Sequence, residues 1–110
     1  MTYYKATRPD GMDFATGTVR YAVGEATPPI DGALVICERG YHVADTPSET
    51  LVGGSWPCRL FRVGPIGEPG PGSWTEPHRH KGVYGSVRVI EELPAWQALK
   101  TRSKTSGSRP

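Results

Sequence analysis

Short apolar segments separated by glycine and proline make up most of this chain. Alternating or continuous apolar runs predict strands at six places: residues 2–7, 18–23, 33–37, 41–44, 58–63 and 86–90. The segment 18–23, TVRYAV, alternates most regularly, and 33–37, ALVIC, is a continuous apolar run typical of a buried strand. Loops rich in Gly and Pro lie between these runs, above all at residues 64–73.

Two segments carry helix signals. Residues 46–49 read TPSE, which fits a capping box with a proline in the first turn, so a helix should begin at Thr46 or Pro47. A second short helix is predicted from Pro94 to Leu99, with Trp96 packed on the sheet. Strands do not alternate regularly with helices, which argues against a parallel doubly wound sheet.

The pattern therefore predicts an α+β fold: one small domain with a mainly antiparallel, curved sheet of five or six short strands and one or two short helices. The predicted core is the set of inward-facing apolar positions on these elements: Val19, Tyr21, Val35, Val43, Leu51, Phe61, Val87 and Val89.

Composition agrees with one small globular domain. The chain has 110 residues, of which 36% are hydrophobic, and its 14 glycines and 11 prolines require many turns. No apolar run is long enough to span a bilayer, and the first residues lack the apolar stretch of a signal peptide. We therefore expect a cytoplasmic protein that makes no membrane contact.

Charge is distributed unevenly along the chain. The formal net charge is +2, but four basic residues lie in the segment 100–110, which contains no acidic residue. The remainder, 1–99, holds nine basic and eleven acidic residues. We therefore predict a globular domain over 1–99 and a basic, disordered tail over 100–110. Nucleic-acid contact beyond a weak interaction of this tail is not expected.

Metal binding would have to draw on five dispersed side chains: Cys37, His42, Cys58, His78 and His80. His78 and His80 would share one face of a strand, which suits chelation. No CxxC or HxxxH spacing accompanies them, so the sequence predicts no bound zinc. Phosphate-binding and dinucleotide-binding motifs are also missing from the sequence, and no cofactor is predicted.

His42 allows two interpretations. It follows Gly40 on a short strand and precedes the predicted helix, which suits a general base or a ligand-positioning group at the mouth of a pocket. A half-buried histidine that is hydrogen-bonded to the backbone fits the same position. Cys37 lies across a turn from His42, and as a nucleophile it would need such a base beside it.

Five segments within residues 3–99 occur in a recognisable order: YKATRPDG, TGTVRYAV, RGYHVADTPSETL, WPCRLFRV and VRVIEELPAWQAL. This order resembles a group of small uncharacterised proteins of actinobacteria and their phages, which implies a phage or actinobacterial origin and a stand-alone small domain. Because the small chain shows no complete catalytic set and no basic face, we expect a non-enzymatic accessory protein that binds a host or phage protein. Three tryptophans, Trp56, Trp74 and Trp96, are many large apolar groups for so small a core, which also favours a homodimer.

A second similarity concerns residues 40–45, GYHVAD, and the predicted helix after them. This segment is similar to a strand and helix of ADP-ribosyltransferases, with a polar residue at Lys5 or Arg8 on the opening strand and a late strand that ends in Glu91 and Glu92. It implies, as the alternative function, a small enzyme that uses His42 with Glu91 or Glu92.

Overall fold

Five antiparallel strands form one open sheet in the computed structural model, which describes residues 2–52 and 54–99. The strand order across the sheet is β4-β2-β1-β3-β5. The bounds are Tyr3–Thr7 for β1, Tyr41–Ala44 for β2, Arg59–Ile66 for β3, Lys81–Tyr84 for β4 and Ser86–Leu93 for β5. A 3-10 helix, Pro47–Leu51, follows β2, and a short α-helix over residues 95–99 follows β5. The predicted α+β class with an antiparallel sheet is confirmed, while the predicted tail at 100–110 lies outside the described residues.

The strands pair unequally. β1 pairs with β3 over all five of its residues, and β2 pairs with β4 over all four of its own. The β3–β5 pairing is also long, with one irregularity between Arg62 and Val63. By contrast, β1 and β2 are joined at a single position, Tyr4 opposite Ala44. Strands β1 and β2 therefore diverge, and the sheet is split between them.

The main cluster of the core lies on one face of this sheet, while Leu60 and Val83 are also fully buried. Phe61, Val63, Val87 and Val89 from β3 and β5 are almost fully buried there, together with Tyr21 from a loop. Five of the predicted core residues are confirmed as buried: Tyr21, Val43, Phe61, Val87 and Val89. Val19 packs against the cluster while partly exposed. The predictions for Val35 and Leu51 were wrong, because Val35 is 41% exposed and Leu51 is only partly buried.

The predicted strand at 18–23 was wrong, although its alternation is regular. Within it the chain makes one isolated bridge, Arg20 opposite Met12. The backbone N–H groups of Thr18 and Val19 bind the Asp13 carboxylate, so the amide of Thr18 does not join a ladder. Tyr21 of this segment nevertheless lies in the core, as part of a loop.

The predicted strand at 33–37 was also wrong. Val35 and Arg39 exchange two backbone hydrogen bonds of 2.8 and 2.7 Å, which closes a local turn. The Arg39 guanidinium donates to the carbonyl oxygens of Asp31 and Ala33. Because local partners satisfy these backbone groups, the apolar run stays at the surface.

Strand β4 was not predicted. It has only four residues, KGVY, and follows a polar segment, so it shows no clear period. Gly82 is required inside it, since an added Cβ would overlap the indole of Trp74. Strand β3 likewise continues to Ile66, into a segment that its Gly and Pro content marked as a loop.

The helix start at Pro47 is confirmed, but the capping box does not form. Thr46 is extended, with φ −137° and ψ 149°, and its side chain makes no capping hydrogen bond. Its Oγ1 is buried and has no partner among the described residues. The last helix begins near Pro94 as expected, yet Trp96 is 61% exposed instead of packing on the sheet.

Candidate functional site

A cleft of about 610 Å³ opens where β1 and β2 diverge. Strands β1 and β2 line it, together with the loop 13–21, the turn 37–40, residues after β2 and Lys81 of β4. This volume lies in the range of sites that hold small organic ligands. The split of the sheet is therefore the feature that creates the candidate site.

Aromatic rings form part of the lining. Tyr21 is 2% exposed and meets Tyr41 edge-to-face, with 6.5 Å between the ring centroids and an interplanar angle of 84°. The Tyr41 hydroxyl donates to the Pro28 carbonyl oxygen at 2.7 Å, which fixes that ring. Tyr4 and Phe14 also line the cleft. The wall is thus rigid and aromatic along part of its length.

Lys5 is a half-buried cation in the cleft. Its register partner on β3 is Phe61, and its Nζ lies 5.9 Å from the centroid of the Tyr21 ring. Desolvation lowers the pKa of Lys5 to about 8, and the charge of Lys81 adds to this, while Asp13 opposes it. Within residues 2–52 and 54–99, its ammonium group makes no hydrogen bond or salt bridge.

Asp13 is the carboxylate whose charge acts on Lys5, and hydrogen bonds from its own loop fix its position. It accepts hydrogen bonds from the backbone N–H groups of Thr16, Thr18 and Val19 at 2.7, 3.0 and 2.9 Å, and from the Thr16 hydroxyl. Desolvation of this buried carboxylate acts to raise its pKa, but these hydrogen bonds outweigh it and hold the pKa of Asp13 below its ordinary value. Asp13 therefore stays ionised and organises the loop that carries Val19 and Tyr21.

His42 lies on β2 and lines the cleft. The backbone N–H of Cys37 donates to its Nε2 at 2.6 Å. Desolvation lowers the pKa of His42 to about 4, with contributions from the charges of Lys5 and Lys81. The imidazole is therefore neutral near pH 7 and acts as an acceptor that positions the turn at Cys37, which itself has a positive φ of 68°.

The residues of the possible metal-ligand set are only partly brought together. The Cys37 Sγ lies 3.7 Å from Lys81 Nζ and 4.0 Å from His78 Nδ1, near His42. His80 Nδ1 is instead 3.0 Å from Asp45, and Cys58 is buried, which raises the pKa of its thiol. Among the described residues, no group of three or more such side chains is arranged to hold a metal ion.

Glu91 and Glu92 do not reach the cleft. They lie on β5 and pair with arginines of β3, Glu91 with Arg62 at 2.6 Å and Glu92 with Arg59 at 2.8 Å. Strands β1 and β3 separate β5 from His42 on β2, a distance of roughly 14 Å at ordinary strand spacing. The carboxylates that line the cleft with His42 are Asp13, Glu38 and Glu49.

Sequence reasoning did not identify Asp13 or Lys81 as site residues, and it considered Lys5 only through a resemblance. The series Asp13, Thr16 and Thr18 carries a signal, because Asp side chains commonly accept nearby backbone N–H groups in loops. Lys5 carries no comparable local signal, since its environment comes from a distant loop and another strand.

A second feature lies outside the cleft. The rings of Trp56 and Trp96 are in tilted contact, with 5.6 Å between centroids and an interplanar angle of 51°, and the two residues are 49% and 61% exposed. Neither tryptophan lines the cleft. Large exposed aromatic surfaces of this kind mark interaction sites more often than isolated apolar residues do.

Comparison with protein-family models, with curated proteins and with solved structures finds no match for this chain. The portion of the chain that the structure describes contains no helix of the length and apolar character needed to cross a bilayer.

Proposed function

We propose that this protein binds a small phosphate-bearing aromatic ligand, of the nucleotide class, in the cleft between β1 and β2. The observation that carries this proposal is the split between β1 and β2, which pair only at Tyr4 and Ala44 and leave a cleft of about 610 Å³ with cations and aromatic rings in one lining. Ligand sites in proteins are commonly concave, largely apolar and furnished with a few convergent polar groups.

The cations supply the affinity for phosphate. Lys5 and Lys81 both line the cleft, and each disfavours further positive charge near it. The pKa of His42 is lowered mainly by desolvation and further by the charges of these two lysines. An anionic ligand would relieve this repulsion by placing negative charge between them. Arg39 also lines the cleft, but its guanidinium already binds two backbone carbonyl oxygens.

The aromatic rings supply a surface for a base. Tyr4 and Phe14 line the cleft and are partly exposed, so their rings can pack against a planar base. The nearby rings of Tyr21 and Tyr41 are almost fully buried and are held by packing and by a hydrogen bond, which keeps this wall of the cleft in place. Because β1 and β2 pair at one position only, backbone N–H and C=O groups along the split are also available to the edge of a base.

The similarity to ADP-ribosyltransferases supports the same ligand class, because those enzymes act on a dinucleotide. Ligand binding is supported more directly than transfer chemistry, since His42 lines the cleft and Glu91 and Glu92 do not. A transferase in this cleft would need one of the carboxylates that line it.

The test compares ADP with adenosine by calorimetry, at two ionic strengths. We expect ADP to bind more tightly than adenosine, with an affinity that falls as salt rises. Lys81→Met should weaken ADP binding by about tenfold, as expected for loss of one charge-assisted contact. Arg79→Met is the matched control, because Arg79 is an exposed cation paired with Glu76 outside the cleft. Equal affinity for ADP and adenosine, or equal effects of the two variants, would contradict the proposal.

Protein binding is a second candidate function, and the exposed pair of Trp56 and Trp96 favours it. In this role the chain would act as a phage or actinobacterial accessory protein whose partner is a host or phage protein, or a second copy of itself. Capture of a defined partner from host lysate should be lost in Trp56→Ser and kept in Val23→Ser, since Val23 is exposed at 54% without an aromatic neighbour of this kind. Sedimentation of the purified chain separates self-association from binding of another protein.

A further inference from the structure

We propose that Lys5 is a nucleophilic amine that condenses with an aldehyde or ketone group of a ligand in the cleft to form an imine. The inference rests on the proposed function for the location of the ligand, and it adds a covalent activity to that site. It depends on where the Lys5 amine lies and on what surrounds it.

The geometry leaves the amine available. Lys5 lines the cleft and lies over the face of Tyr21, with no hydrogen-bond acceptor or carboxylate in contact with its Nζ in the described part of the chain. The charged and titratable groups that act on it are Asp13 from the loop, Lys81 from β4 and His42 from β2. Asp13 is engaged by its own loop, so it does not hold the amine as a tight ion pair.

The same surroundings supply free amine at neutral pH. With a pKa of about 8 instead of 10.5, roughly 10% of Lys5 is unprotonated at pH 7, against about 0.03% of an ordinary lysine. Desolvated lysines near other cations are the ones that proteins use for imine chemistry. Lys81 lines the same cleft, is partly exposed and lies 3.7 Å from the Cys37 sulfur. It therefore serves as the internal control for the reactivity of the Lys5 amine.

The step needs no oxidant or reductant. The unprotonated Nζ of Lys5 attacks the carbonyl carbon, and a C–N bond forms as the C=O π pair becomes a hydroxyl after proton transfer. Loss of that hydroxyl as water, with the second N–H proton, leaves a C=N bond between Lys5 and the ligand. The net change is amine plus carbonyl giving imine plus one water, and the reaction is reversible until a hydride reagent reduces the imine.

Pyridoxal 5′-phosphate is a suitable probe, because it carries an aldehyde, an aromatic ring and a phosphate on one small molecule. The folded full chain is treated with a limiting amount, reduced with borohydride and digested, and the adducts are located by mass spectrometry. We expect the adduct on Lys5 to form at least about tenfold faster than on Lys81, Lys100 or Lys104, with a rate that rises with pH around a midpoint near 8. Peptide mapping separates Lys5 from the terminal amine.

Two variants test the assignment further. Lys5→Arg keeps the cation and should lose the adduct while ADP still binds, whereas Lys81→Arg should keep the Lys5 adduct. Equal labelling of Lys5 and Lys81 in the wild-type chain would overturn the proposal, and that competition needs no variant to fold.

A phosphate-free probe separates this inference from the proposed function. If pyridoxal labels Lys5 as fast as its phosphate does, and ADP does not protect, the imine chemistry stands and the nucleotide site fails. If ADP binds but Lys5 is not labelled preferentially, the nucleotide site stands and the imine proposal fails.

Discussion

Lys5 carries an energetic cost in the folded chain. Its ammonium group is half-buried beside an aromatic ring, and no ion pair within residues 2–52 and 54–99 offsets the lost hydration. The pKa of Lys5 is about 8 in the folded chain and about 10.5 in the unfolded chain, so the folded state disfavours the charged form. This cost grows as pH falls below 10.5 and is complete below about pH 8. At pH 7 the charge of Lys5 therefore lowers the free energy of unfolding.

Replacing this cation should stabilise the fold and weaken the site. We expect Lys5→Met to raise the free energy of unfolding by about 1–2 kcal/mol at pH 7, a value below the full pKa shift because the side chain retains some solvent contact. Lys81→Met should change it less. Urea denaturation of both variants measures the difference, and a destabilised Lys5→Met would show that the ammonium is needed for folding.

His42 should make stability depend on pH. Its folded pKa of about 4 lies below the unfolded value of 6.5, so the unfolded chain binds more protons between these values. The contribution of neutral His42 is complete above about pH 7 and is lost as pH falls from 6.5 towards 4, by roughly 1–3 kcal/mol. His42→Gln keeps an acceptor for the Cys37 N–H and should flatten this part of the curve. If the free energy of unfolding falls equally steeply from pH 7 to pH 4 in the wild-type chain and in His42→Gln, the pKa of His42 is not depressed in the folded state.

The sequence pointed to His42 but could not determine its role. The interpretation as a half-buried histidine bonded to backbone and the interpretation as a pocket residue both fit the structure in part, since Nε2 accepts the Cys37 N–H and the ring lines the cleft. The sequence could not show that Glu91 and Glu92 lie far from His42. Their distance depends on the strand order, which local patterns do not encode.

Among the elements, the 3-10 helix contains the residues of a capping motif without the hydrogen bonds that define it. Residues 46–49 have the residues of a capping box, yet Thr46 Oγ1 is buried without a partner in the described structure. A proline at the first position and a chain of only five helical residues favour the tighter 3-10 turn, in which the Thr46 side chain points elsewhere.

Thr46→Val should therefore cost nothing. A functional N-cap contributes about 1 kcal/mol, whereas removal of an unsatisfied buried hydroxyl is neutral or stabilising by up to about 1 kcal/mol. Thr27→Val is the matched control, because the Thr27 hydroxyl accepts from the Val87 N–H at 3.0 Å in a buried site. That variant should lose about 1–3 kcal/mol. If Thr46→Val is as destabilising as Thr27→Val in thermal denaturation, the hydroxyl has a partner after all.

The turn before β2 depends on a glycine for two reasons. Gly40 has a φ of +129°, and an added Cβ would overlap Val83 and lie 3.3 Å from the Tyr84 carbonyl oxygen. Gly24 has a φ of +89° with open space around it. We expect Gly24→Ala to cost about 1 kcal/mol from the backbone alone and Gly40→Ala about 3 kcal/mol, since packing strain adds to it. Equal losses in urea denaturation would show that the Val83 side chain moves aside.

Elements with a local cause could be predicted, and elements held by distant partners could not. β2 and the last helix were found because apolar runs and a proline mark them. The segment 18–23 alternates more regularly than β4, yet its first backbone N–H groups donate to the Asp13 carboxylate and it forms no strand. Strand β4 forms because it pairs with β2. Neither outcome is visible in a window of a few residues.

At the scale of the whole molecule, the divergence of β1 and β2 is the feature on which the proposed ligand site depends. The sheet is well paired on both sides of this line, β1 with β3 and β2 with β4, so the split is a defined feature between two paired halves. The loop held by Asp13 and the turn held by His42 border the split. Cations and aromatic rings from both halves converge there, which no single segment of sequence could indicate.

Titration of the ¹⁵N-labelled chain with ADP, followed by NMR, tests this claim most directly. We expect saturable shifts of the amides of Lys5, Ala6 and the strand β2, and slower hydrogen exchange on both sides of the split once ADP is bound. The signals of Trp56 and Trp96 should not move, since neither residue lines the cleft. Shifts confined to the tryptophan pair, or no saturable shifts along β1 and β2, would contradict the assignment of the split as the ligand site.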